Sequence, residues 1–161
     1  MTSYRSTPAI TELFAKLAIT ADGMQISSVQ RADTEPEFHE CTTEPEYIQN
    51  LVQAARESKE LEGTTAFVAL NTEAAARTAQ LLGEDSPTLI DEGDSLPNSG
   101  SILLTLPLAK GLEFDHVVIV DANKEDFPED DLSRRRLYTA ISRATSTVSV
   151  FSNGELSPLL K

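Results

Sequence analysis

The chain contains one cysteine, Cys41, so it forms no internal disulfide and no zinc cluster built on paired cysteines. Its two histidines, His39 and His116, lie far apart and lack the spacing of metal ligands. No apolar run approaches the ~18 residues of a membrane span. The segment from Met1 to Ile10 lacks the apolar stretch of a signal peptide. These absences predict a reduced, cytoplasmic setting without a membrane partner. No G-x-x-x-x-G-K-[ST] string occurs, so the usual phosphate cradle is missing. No strand ends in an Asp-Glu pair placed for Mg²⁺, since Asp91-Glu92 falls in a loop before Gly93. Basic residues are scarce as well. With 26 acids against 13 bases, the formal net charge is −13. A free-standing nucleic-acid binder would carry a basic patch instead. Contact with nucleic acid inside a larger assembly stays open.

What is present suffices for a core. The 161 residues are 40% hydrophobic, and one compact domain over 1–161 is expected. A helix is predicted over 7–18, with Thr7 as N-cap, Pro8 in its first turn and an apolar stripe of Ile10, Leu13, Phe14 and Leu17. Short strands are expected at 26–30 and 37–41, and a helix at 44–60 behind Thr43 and Pro45. Then follow a buried strand at 64–70, an alanine-rich helix at 72–82 closed by Gly83, and a minor strand at 87–90. A polar loop covers 91–100. Strands at 101–106 and 117–121, an acidic loop at 125–131, a helix at 132–144 and a last strand at 147–152 complete the pattern. Apolar strands alternating with helices predict an α/β fold, a parallel sheet covered by helices on both faces.

Two stretches carry the chemistry. Thr105 to Asp121 reads TLPLAKGLEFDHVVIVD, and Arg134 to Ala144 reads RRRLYTAISRA. In open parallel sheets ligands sit beyond the carboxyl ends of strands, and strand 101–106 ends just before Lys110 and Gly111. Backbone amides beside a glycine can approach a ligand closely, and Glu113 can accept from ribose hydroxyls. The same string also suits a loop whose glycine serves only its backbone angles. Arg143, near a helix C-terminus, suits either the helix dipole or a finger on a transferred phosphoryl group. Arg134, Arg135 and Arg136 oppose the dipole at their helix start, where acids at 125–131 offer ion pairs.

Taken together the stretches are far more specific. They resemble the C-terminal motor domain of UvrD/Rep-type superfamily 1 helicases. That family carries T-x-H-x-x-K-G-L-E-F/W before an apolar strand, matched here by Thr105, Lys110, Gly111, Leu112, Glu113 and Phe114. It then carries R-R-L-x-Y-V-A-x-T-R-A, matched by Arg134, Arg135, Tyr138, Ala140, Arg143 and Ala144. Ser3-Tyr4-Arg5-Ser6-Thr7 is similar to the family's N-Y-R-S-T motif, and all three occur in the family's order.

The resemblance implies a RecA-like sheet and a set of roles. Tyr4 would stack on adenine, Arg5 and Arg143 would face the γ-phosphate, Gly111 and Glu113 would lie beside the nucleotide, and Thr105 near the nucleic-acid backbone. ATP and Mg²⁺ would bind between this domain and an N-terminal RecA-like partner, which holds the phosphate loop, with DNA as the track. The chain is accordingly expected to be a C-terminal fragment, inactive alone. It departs from the family at Pro107, where a histidine is usual, and at Leu132-Ser133, where acids are usual. About a hundred residues separate Arg5 from Thr105, which leaves no room for the family's large helical insertion. The LAKGLEFD run, the Y-T-A-x-S/T-R-A helix of Tyr138 to Ala144 and the ending Phe151 to Glu155 with Ser157-Pro158 look most like the HelD branch. That likeness implies RNA polymerase as an alternative partner, with ATP-driven recycling and no strand separation.

Overall fold

The computed structural model describes residues 2–3, 27–28, 36–97 and 99–160. The helix expected at 7–18 lies outside them. Of the strand expected at 26–30, only Ser27–Ser28 (β2) is described, paired in parallel with Thr2–Ser3 (β1).

The main sheet is six-stranded and all parallel. Its strands are β3 (Glu37–Cys41), β4 (Thr64–Ala69), β5 (Thr88–Leu89), β6 (Gly100–Thr105), β7 (Phe114–Ile119) and β8 (Ala144–Asn153). They lie side by side in the order β3-β8-β7-β4-β6-β5. Side chains alternate across a strand, so each central strand feeds two cores. Phe67, Leu103, Val118 and Phe151 point to one face. There they meet α1 (Glu44–Ser58) and α2 (Thr72–Leu82) through Leu51, Ala55, Ala75 and Leu82. Val68, Leu104, Val117 and Val150 point to the other face. There they meet α3 (Leu106–Ala109) and α4 (Asp131–Ile141) through Ala109, Leu137 and Ile141. The expected fold class is therefore the observed one.

Capping explains where the long helices begin. The Thr43 hydroxyl accepts from Glu46 N at 3.3 Å, with Pro45 in the first turn of α1. Asn71 accepts from Ala74 N at 2.8 Å and opens α2.

Three boundaries differ by three residues from the sequence pattern. β7 begins at Phe114 rather than at 117, because Asp115 and His116 find partners inside the fold. Asp115 Oδ2 accepts from Thr64 N at 2.9 Å, and His116 Nδ1 lies 2.7 Å from Thr147 Oγ1. β8 begins at Ala144 rather than at 147, since Ala144 pairs with Phe114. The helix before it ends correspondingly earlier, at Ile141. The short helix α3 was not expected. Its Leu106 and Ala109 are buried, and Pro107 sits in its first turn, where a missing N–H is harmless.

Gly63 fixes how β4 enters the sheet. Its φ is +82°, and a Cβ placed there would lie 2.1 Å from Asp115 Oδ2, the atom that receives Thr64 N. Gly63→Ala is expected to cost about 1–3 kcal/mol for the left-handed backbone alone, plus the displaced Asp115 bond. Gly93→Ala is the control, because its φ is +90° yet nothing lies within 4 Å of a Cβ there. Urea unfolding should rank Gly63→Ala as clearly the more damaging. Equal losses would show that the Asp115 contact contributes nothing.

Candidate functional site

The second motif is built on α4. Asp130 is its N-cap, accepting from Ser133 N at 2.7 Å. That backbone bond, with help from the Ser133 hydroxyl, holds the exposed Asp130 carboxyl below its ordinary range. Arg134 pairs with Asp131 one turn away, so part of the basic run is answered by the neighbouring acids. Leu137, Ala140 and Ile141 bury one face of the helix. Ser142 is the C-cap, and its N–H donates to Tyr138 O at 2.9 Å. Arg143 follows, two residues beyond the last helical one, and the next residue already belongs to β8.

The first motif arrives at the same place from the other side. After α3, Leu112 N donates to Ala109 O at 3.0 Å, and Gly111 has φ +85°. Only a residue without Cβ takes that angle freely. The turn delivers Glu113 to the start of β7, where Phe114 N donates to Arg143 O at 2.8 Å. Because Phe114 also pairs with Ala144, Glu113 and Arg143 are neighbours along the amino-terminal edge of the sheet. Gly111 and Glu113 are exposed, and Arg143 is half-buried.

Arg143 itself is incompletely satisfied. Its Nη2 donates to Ser142 Oγ at 2.9 Å, while its Nε is buried without a hydrogen-bond partner. A buried donor left unpaired costs about 1–3 kcal/mol. Among the described residues Arg143 forms no ion pair. The accessible part of the half-buried guanidinium, rather than the buried Nε, is what could meet an anionic group from outside.

Gly111, Glu113 and Arg143 lie on the opposite edge from the one expected. The rule that ligands sit beyond the carboxyl ends of strands pointed to the end of β6. However, β6 and β7 are both parallel to β4, so the chain must return between them. Helix α3 and residues 110–113 make that return. Thr105 stays behind at the carboxyl end of β6. Thr65 is level with both Ser101 and His116, so Thr105 lies six residues further along the sheet than Phe114. At 3.2–3.4 Å per residue that is roughly 20 Å. Gly111, Glu113 and Arg143 are therefore brought together, and Thr105 is not. Tyr4 and Arg5 lie outside the described residues.

Two features escaped the sequence reading. The family motif has a threonine where Ser142 stands, but the bond that Ser142 receives from Arg143 could not be read from it. At the carboxyl edge, Asp121 ends an apolar strand, which was visible, but its surroundings were not. Burial raises its carboxyl above the ordinary value, against the opposing bond from Asn153 N at 2.9 Å. Nearby, the buried Tyr47 hydroxyl donates to Val120 O at 2.6 Å, and burial pushes that phenol above its usual range. Among the described residues, no three His, Cys, Asp or Glu side chains gather as a metal site would need. No described helix is long and apolar enough to cross a membrane.

Comparison with known proteins supports the fold. Residues 100–151 match the UvrD-like helicase C-terminal domain family, a span that includes Thr105, Gly111, Glu113 and Arg143. The solved C-terminal domain of a possible DNA helicase from Lactobacillus plantarum WCFS1 superposes with a TM-score of 0.81. It is 28% identical, and the match covers 99% of this chain and 92% of that one. Dbp5 of S. cerevisiae, solved with RNA and ADP BeF3, matches with a TM-score of 0.54 and 15% identity over 83% of this chain and 40% of that one, a likeness of fold alone. No curated protein sequence matches. The chain has the fold of a helicase C-terminal RecA-like domain, and its residues 100–151 are similar in sequence to the UvrD-like members of that group.

Proposed function

We propose that this chain is the second motor lobe of an ATP-dependent, helicase-like enzyme. Its role is to complete an ATP site shared with an N-terminal RecA-like domain. The observation that carries the reading is the meeting of Gly111, Glu113 and a half-buried Arg143, which has no ion pair among the described residues, on one sheet edge. A guanidinium in that state fits a phosphate delivered by a second domain. On this reading Arg143 and Arg5 neutralise charge at the γ-phosphate, Tyr4 stacks on the base, and Glu113 faces the ribose with Gly111 beside it. Among the described residues no group of carboxylates gathers for Mg²⁺, and the reading assigns the metal to the partner domain along with the phosphate loop. Bound ATP supplies the phosphoanhydride whose hydrolysis drives the motor.

The separation of Thr105 from Arg143 gives the lobe a mechanical role. Thr105 begins α3 without using its side chain as a cap, which leaves the hydroxyl for a nucleic-acid backbone. The buried Leu106 and Ala109 tie α3 to the core. A rigid link then joins the nucleic-acid end of the sheet to the nucleotide end. Closure of the two lobes around ATP shifts both ends together. The HelD-type alternative, an RNA polymerase-binding lobe without unwinding, rests on the sequence likeness alone, and neither comparison names that branch.

The chain by itself is expected to release no measurable phosphate from ATP, because the phosphate loop and the Mg²⁺ carboxylates are missing from its sequence. A steady-state phosphate assay on the purified chain, with and without the N-terminal lobe, checks this. Turnover by the chain alone that disappears in Lys110→Ala would place a complete site within this lobe and overturn the reading.

A further inference from the structure

We infer that Ser142 is the positioning residue that aims Arg143. The inference rests on the proposed role of Arg143 and adds to it a residue in the same turn. A hydroxyl offers one donor and two acceptor sites. Ser142 uses its donor on Thr139 O at 2.9 Å. That bond turns the oxygen's lone pairs to where Arg143 Nη2 approaches, also at 2.9 Å. The backbone is fixed in parallel, by Ser142 N on Tyr138 O, Arg143 N on Ala140 O and Phe114 N on Arg143 O. The main chain of Arg143 is therefore anchored from both the helix and β7, while its side chain has a single hydrogen bond among the described residues. That bond goes to Ser142.

An arginine has four side-chain torsions, and a finger acts only if its fork already points at the developing charge. Losing the Ser142 hydroxyl leaves the guanidinium with neither Nη2 nor Nε held by the domain. Arg143 would still be present and charged, but spread over more rotamers. The effect should fall on turnover rather than on ground-state nucleotide binding. A purely structural Ser142, closing the last turn of α4 through Thr139, would instead lower stability and act independently of Arg143.

The test is a double-mutant cycle on ATP turnover in the two-lobed enzyme, with KM and thermal stability measured alongside. Ser142→Ala should lower kcat about tenfold with KM nearly unchanged. Ser142→Thr, which keeps the hydroxyl, should retain most activity. In an Arg143→Ala background, Ser142→Ala should change turnover no further. If Ser142→Ala lowers turnover by the same factor in that background, Ser142 does not act through Arg143 and the inference is overturned. It is equally overturned if Ser142→Ala leaves kcat intact while Arg143→Ala abolishes it, and in that case the proposed function stands. If Arg143→Ala itself leaves turnover normal, the proposed function falls and this inference falls with it.

Discussion

Replacing Arg143 with alanine in the two-lobed enzyme should reduce ATP turnover by about 10³- to 10⁵-fold, the range that arginine fingers contribute in well-studied nucleotide hydrolases. Nucleotide affinity should change little. The asymmetry follows from where the charge develops. A finger that meets the phosphoryl group chiefly in the transition state accelerates the step without tightening the ground state. The competing explanation is electrostatic and local, since a cation just past the end of α4 is favoured by the helix dipole. That would contribute about 0.3–1 kcal/mol of stability and leave turnover alone. Arg143→Lys separates the two. Lysine keeps the charge near the helix end but loses the planar fork and the Nε donor. Near-normal turnover in Arg143→Lys, measured as kcat with nucleotide Kd in parallel, would make Arg143 a structural cap and remove the main support for the ATP-site reading.

The residues of the candidate site could be named from the sequence, but their place in the fold could not. Gly111, Glu113 and Arg143 could be picked out because family motifs are strings, and strings survive in sequence. Their convergence depends on a crossover. Residues 106–113 cross back over the sheet, and that return is set by β6 and β7 both running parallel to β4. A rule about the carboxyl ends of strands, applied to the residue next in sequence, therefore named the wrong edge. The same distinction holds for the elements. Helix α2 was expected over 72–82 and is observed at Thr72–Leu82, because Asn71 and Gly83 bound it locally. The start of β7 was missed because Asp115 and His116 read as loop residues. Their partners, Thr64 N and the Thr147 hydroxyl, lie 51 and 31 residues away. Ser142 stood at a motif position, but its bond to Arg143 was missed for a related reason. A serine near a helix end is commonplace until the neighbouring guanidinium is seen to bond it.

The helix that leads into Arg143 is seated on the sheet through Leu137, Ala140 and Ile141, and Leu137→Ala should be among the most destabilising substitutions in the chain. Leu137 is 0% exposed and packs in the core on the α4 side of the sheet with Val117 and Val150. Removing it takes away the burial of three carbon atoms and leaves a cavity that rigid strands cannot fill. Buried Leu→Ala changes cost about 2–5 kcal/mol. The upper half of that range is expected here, because the neighbours belong to the central strands β7 and β8 and cannot relax far. Total stability in domains of this size is about 5–15 kcal/mol, so a large fraction would be lost. Arg135→Ala, on the exposed side of the same helix, should stay within about 0.5 kcal/mol of the parent. Urea unfolding of the chain gives both values. In the two-lobed enzyme at a temperature where the variant remains folded, Leu137→Ala should also lower kcat, since α4 sets the depth of Arg143 at the sheet edge. A loss below about 1 kcal/mol, with unchanged m-value, would mean that α4 is not seated on the sheet through Leu137. The aim of Arg143 would then have to come from its β7 contact alone.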